Sequence, residues 1–463
     1  MTAACVSSCV HALRMQRVPR SCLACGAPRI RVARRAHTAQ PAPKALERAQ
    51  RLRRSSTVAK AQPAAEQAPP LAWVSAAALV AGNTVGAGIL ALPQVTSAAG
   101  VVPSLTAILG AWAYSVLTGQ MLAEVSVAAQ RNVAPGAPPP SFVSLAERTL
   151  GTAGGFAAVA LQFFLHYVLQ VAYTARGGDI TARFLHLPSP AGAVLFTAVL
   201  VLLCRAGDSR PAILDAGNAM LLTFLLISFG GLMAEVVPQV QPELMLTAHW
   251  AAVPAAIPVI ALSFVYHNAI PFTTRSCAND GPAIDRALIV GTGGPLVLYV
   301  VLELAVLGSS SATSFTGMDP QARGVDFVDV FALCAVATSY LGFHISLVDM
   351  LLDTKAAATL RRTIRDESSV RSLALVAAAL PPCAASILEP GVFISALEVA
   401  GLYGGMVLCG ILPGVMALVQ RRERVLDSTA TAAYSAPGGD VAALAVIALG
   451  MAVVFGDLAG LFH

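Results

Sequence analysis

One apolar run, at about residues 72–99, constrains the fold of this chain most. It is long enough to cross a bilayer, since about 20 helical residues at ~1.5 Å rise each span the hydrocarbon core. Its middle reads Ala81-Gly82-Asn83-Thr84-Val85-Gly86-Ala87-Gly88, and glycine, asparagine and threonine all weaken a helix. Lipid cannot satisfy the main-chain groups of a broken helix, so a break persists only where it lines a cavity or holds a polar ligand. The small-residue spacing Gly82-x-x-x-Gly86 equally fits simple helix packing.

Composition places the chain in the membrane. Of its 463 residues, 56% are hydrophobic and only 12% are charged, whereas a soluble domain has about 25% charged residues. Eleven apolar segments are predicted to span the membrane, at about 72–98, 103–129, 154–176, 190–205, 212–236, 253–272, 286–308, 327–350, 371–388, 391–419 and 440–460. The sixth of these segments is short and polar in its middle, and Pro381-Pro382 is expected to interrupt the ninth.

The loops between these segments carry an uneven charge. With the mature N-terminus inside, fourteen Lys and Arg residues fall in internal loops and only Arg176, Arg183 and Arg323 in external ones. This positive-inside bias predicts an odd number of spans, with His463 on the outer side. A short surface helix, capped at Ser141 or Ser144, is predicted before the third span.

The N-terminal 70 residues form a separate region. They hold 13 Lys and Arg against 2 acids, so the excess of basic residues over the whole chain comes from here and does not indicate nucleic-acid binding. An Arg-rich, acid-poor segment is typical of an organellar transit peptide, here with a plastid favoured over a mitochondrion. A disordered cytosolic tail is the alternative.

Residues 71–463 are predicted to form one polytopic domain. Cys22-x-x-Cys25 lacks a second pair, so no metal site is predicted.

A second break is expected in the sixth segment. Pro271 removes a hydrogen-bond donor and disfavours helix at Ile270, and His267 and Asn268 place polar groups at membrane depth. Five spans precede this one and five follow, so two halves of an inverted repeat would each begin with a discontinuous helix. Half-helix ends offer N–H groups to a carboxylate and C=O groups to an ammonium, which suits an amino acid.

These stretches resemble a known family. Ala81 to Pro93, Pro258 to Pro271 and Pro295-Leu-Val-Leu-Tyr299-Val-Val-Leu-Glu303 are similar to the aromatic amino acid permeases, the tyrosine- and tryptophan-specific transporters. Ala172-Tyr173 with Gly177-Gly178, and Thr338 to Asp349, are similar as well. The resemblance covers residues 71–463. It implies the fold of the amino acid–polyamine–organocation superfamily and, as in bacterial relatives, proton-coupled uptake. The sixth-span core Tyr266-His267-Asn268 departs from the smaller, glycine-bearing pattern of relatives.

Three groups are candidates for substrate binding. The main chain of the first break would hold the ammonium and carboxylate, and an aromatic wall with a polar handle in the sixth span would recognise a phenol or indole. A polar stripe on the third span would face inward, either for substrate or for a hydrogen-bond network between helices. The candidates are Gly82, Asn83, Thr84, Val85, Gly86, Ala87 and Gly88; Phe264, Tyr266, His267 and Asn268; and Gln162, His166, Gln170 and Tyr173.

Coupling to an ion has its own candidates. The hydroxyls of Thr338 and Ser339 resemble a sodium-coordinating pair of the superfamily, while His344 titrates near neutral pH and suits a proton. Asp349 and Glu124 are further candidates. Glu303 and Glu398 are intramembrane acids that serve either structure or a proton relay. The coupling ion is H⁺ or, alternatively, Na⁺.

The sequence therefore predicts an all-α membrane protein that works as a symporter of an aromatic amino acid, with tyrosine favoured, in the plastid envelope inner membrane. A mitochondrial inner membrane is the alternative location. A sensor of the same fold, or a transporter of another neutral amino acid, are alternative functions. A membrane enzyme is disfavoured because no catalytic motif is present. No cofactor is expected, the partners are the substrate and the lipid bilayer, and the oligomeric state is open.

Overall fold

The computed structural model describes residues 72–86, 88–130, 139–309, 327–364, 366–389, 391–426 and 434–460. Within these ranges every element is a helix, apart from one isolated bridge between Val240 and Ser309. Ten helices are long and apolar enough to cross a membrane, and a bent pair, Ala72–Thr84 and Gly88–Thr96, makes an eleventh span. The predicted transit segment and His463 lie outside the described residues.

Each of the eleven predicted apolar segments contains helix, and the first and sixth are each divided into two helices. The sixth span consists of Val253–Leu262, a single 3₁₀ turn at His267–Ala269, and Ile270–Ser276. The tenth contains Phe393–Val399, a π-helical stretch at Ala400–Ile411, and Leu412–Leu426. The second to fifth spans are Val101–Gln130, Phe142–Leu185, Ser189–Ser209 and Pro211–Val236, and the seventh, eighth, ninth and eleventh are Gly281–Leu307, Phe327–Leu352, Glu367–Leu388 and Gly439–Leu458.

Two local predictions have different outcomes. Ser141 caps the helix before the third span by accepting a hydrogen bond from the Ser144 amide, and Gly151, with φ 72°, turns the chain into the span itself. The surface helix is therefore confirmed. The interruption predicted at Pro381-Pro382 is wrong, since both prolines lie inside the ninth helix. The fixed φ of proline is compatible with a helix, and neighbouring helices can satisfy the carbonyls it leaves free.

Ion pairs join the ends of spans that the predicted topology places on one side. Arg371 at the start of the ninth span contacts Asp208 and Asp349, at the ends of the fourth and eighth spans. Arg183, at the outer end of the third span, contacts Asp329 at the start of the eighth. These contacts agree with spans that alternate in direction, as the charge count of the loops requires.

Candidate functional site

The first span breaks where its glycines and polar residues lie. The helix ends at Thr84, and a second helix starts at Gly88 with its axis turned by 55°. The Val85 amide still donates to Ala81 O, and the Ile89 amide donates to Gly86 O. The side chains of Asn83 and Thr84 donate back to the carbonyls four residues earlier, at 2.9 and 2.8 Å. Such bonds compete with regular helix geometry. Ala87, a predicted site residue, lies outside the described residues.

The sixth span breaks earlier than its proline. The first helix ends at Leu262, Ser263 to Tyr266 are not helical, and Ile270 is already helical. The prediction that Pro271 disfavours helix at Ile270 is therefore wrong. Pro271 stands in the first turn of the second helix, where an amide would have no partner within the helix. The break itself is stabilised by the second span, because Ser115 Oγ donates to Phe264 O at 2.7 Å.

The two breaks contact each other. A Cβ added to Gly88 would lie 2.5 Å from Ser263 Oγ, so only glycine fits there without movement. A Cβ on Gly86 would lie 3.1 Å from Ser339 Oγ of the eighth span. A Cβ on Gly82, in contrast, would meet no described atom beyond its chain neighbours and its own helix backbone within 4 Å. The break is thus closely packed at Gly88, whereas the helix before it is open at Gly82.

Tyr299 of the seventh span links both breaks. Its hydroxyl lies 2.8 Å from Thr84 O and 3.0 Å from Ser263 O, each a carbonyl at the end of a half-helix. Its ring packs edge-on against Phe264, with the centroids 5.3 Å apart. Tyr299 is fully buried. The sequence analysis does not predict Tyr299 as a site residue. The signal that could indicate it is a hydroxyl at membrane depth, four residues after Pro295.

The predicted aromatic wall of the sixth span faces the second span. Tyr266 is fully buried and its hydroxyl donates to Ser115 O at 3.0 Å. His267 stacks on Tyr266 and lies 2.8 Å from the Thr118 hydroxyl through Nε2. Asn268 is exposed. The side chains of Phe264, Tyr266 and His267 therefore stabilise the break, and Asn268 is the accessible polar group.

The predicted stripe on the third span faces the eighth span. His166 Nδ1 lies 2.7 Å from Gln162 O, and Nε2 lies 3.0 Å from Ser346 Oγ. Gln170 donates to Tyr340 O at 3.4 Å, while its Oε1 is buried with no hydrogen-bond partner in the described part of the chain. Tyr173 packs against Phe343. His166 and Gln170 thus connect the third span to the eighth, and a role of the stripe in substrate binding stays a prediction.

The coupling candidates separate into two groups: Thr338, Ser339 and His344 lie within the eighth span, whereas Asp349 and Glu124 belong to ion pairs at the inner ends of spans. On the eighth span, Thr338 and Ser339 donate to Ala335 O, and Ser339 lies beside Gly86. His344 is fully buried and stacked on Tyr340, and neither ring nitrogen has a partner among the described residues. Asp349 belongs to the ion pair with Arg371, about 15 Å along the helix from Ser339 at ~1.5 Å per residue.

Glu124 lies in a cluster at the inner ends of the spans. Its carboxylate is fully buried and accepts bonds from Arg421, the closest at 2.6 Å, and from the Ala436 amide at 3.0 Å. Beside it, Tyr434 donates to Asp285 at 2.6 Å. Burial and this hydrogen bond raise the pKa of Tyr434 above its usual range. Glu124 is therefore part of an ion pair with Arg421 at the inner side.

Comparison with known proteins decides the family. The family model described as the tryptophan/tyrosine permease family matches residues 71–327 and 324–456. The chain belongs to this family. It is therefore a permease and not an enzyme, and the resemblance seen in the sequence is confirmed.

Several bacterial permeases match this family member over most of their length. The tyrosine-specific transport system 2 of Haemophilus influenzae is 27% identical over 406 residues, which cover 82% of this chain and 94% of the relative. A tryptophan-specific transport protein of the same organism is 26% identical, with 82% and 93% covered. The tyrosine permease of Enterobacter agglomerans is 23% identical, with 81% and 93% covered. The permease is a multi-pass membrane protein.

Proposed function

We propose that this permease is a secondary active transporter that moves an aromatic amino acid together with a proton, and that tyrosine is its preferred substrate. The proposal rests on the contact between the two main-chain breaks at Gly88 and Ser263. There the Tyr299 hydroxyl lies within hydrogen-bond distance of one carbonyl from each break. Half-helix ends present free amides and carbonyls, which match the carboxylate and ammonium of an amino acid. Relatives named for tyrosine and tryptophan transport support the aromatic class.

The proposed substrate site lies along the first break. The main chain from Gly82 to Gly88 holds the charged groups, and the open space beside Gly82 gives entry to them. Asn268, the accessible polar residue of the sixth span, recognises the phenol or indole. Phe264, Tyr266 and His267 keep the break in shape by binding the second and seventh spans.

The proposed transport mechanism is based on an inverted repeat of five spans in each half. The first span of each half is a broken helix. The first and sixth spans, which open the two proposed halves, are both broken. In this scheme one bundle rocks about the fixed breaks and exposes the site to each side in turn. Sodium coupling is the second candidate, because the Ser339 hydroxyl lies next to the first break.

The location is a further part of the proposal. The family match starts at residue 71, and the preceding segment is rich in arginine and poor in acids. Such a segment suits a transit peptide that directs the permease to the plastid envelope inner membrane. Fusion of residues 1–70 to a fluorescent protein tests this. Plastid fluorescence is expected, whereas mitochondrial or cytosolic fluorescence contradicts it.

Uptake by proteoliposomes tests the function. Labelled tyrosine, tryptophan and phenylalanine are offered under an imposed proton gradient and, separately, a sodium gradient. Accumulation of tyrosine above the other two under the proton gradient is expected. Binding of substrate without uptake under either gradient would instead indicate a sensor, and accumulation under sodium alone would assign coupling to that ion.

A further inference from the structure

Glu303 is a carboxyl group buried in the seventh span, one helical turn beyond Tyr299. Its exposed fraction is 0%. Oε2 lies 2.9 Å from Thr96 Oγ1, and Oε1 has no hydrogen-bond partner among the residues that the structure describes. In those same residues no arginine, lysine or histidine forms an ion pair with it. This distinguishes Glu303 from Glu124 and Asp349, which both bind arginine.

The hydrogen-bond geometry around Thr96 fits a protonated carboxyl. Thr96 Oγ1 also lies 2.7 Å from Leu92 O, and a hydroxyl has one hydrogen to donate. If Glu303 carries a proton, it donates to Thr96, and Thr96 donates to Leu92 O. If Glu303 is ionised, Thr96 must leave Leu92 O to reach it, and the second carboxylate oxygen stays buried without a partner. An unpaired ion inside a membrane protein is costly, so the neutral form suits this arrangement.

No other charge on the packed elements compensates Glu303. The first span, residues 72–96, has no ionisable side chain. The ionisable groups of the other elements packed on the seventh span bond elsewhere, lie towards its opposite end or are exposed; they are Tyr114, Glu124, Asp215, Glu235, Glu243 and Arg275.

We propose that Glu303 carries the coupling proton of this permease, with Thr96 as its positioning residue. The inference rests on the proposed function as a proton symporter. Thr96 belongs to the part of the first span beyond the break, while Tyr299, on the same helix as Glu303, holds the carbonyl before the break. Movement of the first span about Gly86 therefore removes the only side-chain partner of Glu303 in the described structure. The proton is held in one conformation and released in the other.

The test separates substrate movement from proton coupling. Wild type, Glu303→Gln and the exposed control Glu243→Gln are reconstituted in proteoliposomes. Counterflow of labelled substrate against unlabelled substrate, without any gradient, measures movement through the site. Accumulation under an imposed pH gradient measures coupling. Glu303→Gln mimics the permanently protonated state, so it should keep counterflow while its accumulation falls to the level measured without a gradient. Glu243→Gln should behave as wild type in both assays.

The outcomes distinguish this inference from the function itself. Gradient-driven accumulation by Glu303→Gln overturns the role of Glu303 and leaves the symporter function intact. Loss of counterflow as well as accumulation in Glu303→Gln also overturns it, because the residue would then serve substrate movement or folding. Failure of wild type in both assays overturns the proposed function. A shifted pH dependence of accumulation in Thr96→Val, restored in Thr96→Ser, is the expected sign of the positioning role.

Discussion

At the scale of single residues, Tyr299 does most to define the proposed site. One phenolic hydrogen serves two carbonyls, Thr84 O and Ser263 O, on two different spans. At least one carbonyl is therefore left with unused acceptor capacity at the junction of the breaks. Free acceptors at this point suit the ammonium group of an amino acid.

Tyr299→Phe tests the bridge between the breaks. The change keeps the ring that packs on Phe264 and removes only the hydroxyl. A net hydrogen bond contributes about 0.5–1.5 kcal/mol, so substrate affinity should fall roughly 2- to 10-fold in uptake kinetics. Tyr403→Phe is the control, since its hydroxyl bonds Asp457 away from the breaks. Equal effects of the two variants would contradict the role of Tyr299.

Alanine substitutions at Gly88 and Gly82 compare a closely packed position of the first span with an open one. An added methyl group at Gly88 meets Ser263 at 2.5 Å from Oγ and 3.1 Å from Cα, whereas one at Gly82 meets nothing in the described chain within 4 Å. Overpacking costs about 1–3 kcal/mol. Gly88→Ala should therefore reduce uptake strongly at unchanged protein level, and Gly82→Ala should reduce it little. The reverse order would show that the breaks do not meet as described.

At the scale of elements, the sixth span shows what the sequence can and cannot predict. Its polar middle correctly indicates a break. The position of that break depends on Ser115 and Thr118 of the second span, about 150 residues away, which bind Phe264 O and His267. Local rules placed the break at Pro271 because proline is the strongest local signal. Contacts with the second span, which is distant in sequence, instead place the break at Ser263 to Tyr266.

The inner cluster of the second and tenth spans gives a prediction on stability. Arg421 binds the fully buried Glu124, and losing one partner of a buried ion pair costs about 3–5 kcal/mol. Arg421→Gln should lower the melting temperature in detergent, and the double variant with Glu124→Gln should recover part of the loss. Glu367→Gln, which breaks the exposed pair with Arg361, should change stability by about 0–1 kcal/mol. A larger effect of Glu367→Gln would contradict this ranking.

At the scale of the whole molecule, composition and loop charge predict most of the architecture. Eleven apolar segments and a positive-inside bias give the spans and their directions, because the bilayer fixes helix length and leaves few alternatives. The site is less predictable. The main-chain break between Thr84 and Gly88 follows from residue types, whereas the bridge by Tyr299 and the arginine partners of Glu124 and Asp349 depend on the packing of separate spans.

The central claim, that an aromatic amino acid binds along the first break, is tested most directly by protection of Gly82→Cys from alkylation. Space beside Gly82 tolerates the side chain. The native cysteines are replaced first, and Ala248→Cys, at an exposed position between the fifth and sixth spans, is the control. Tyrosine should slow alkylation of Gly82→Cys and leave that of Ala248→Cys unchanged. Equal alkylation of Gly82→Cys with and without saturating tyrosine would contradict the account.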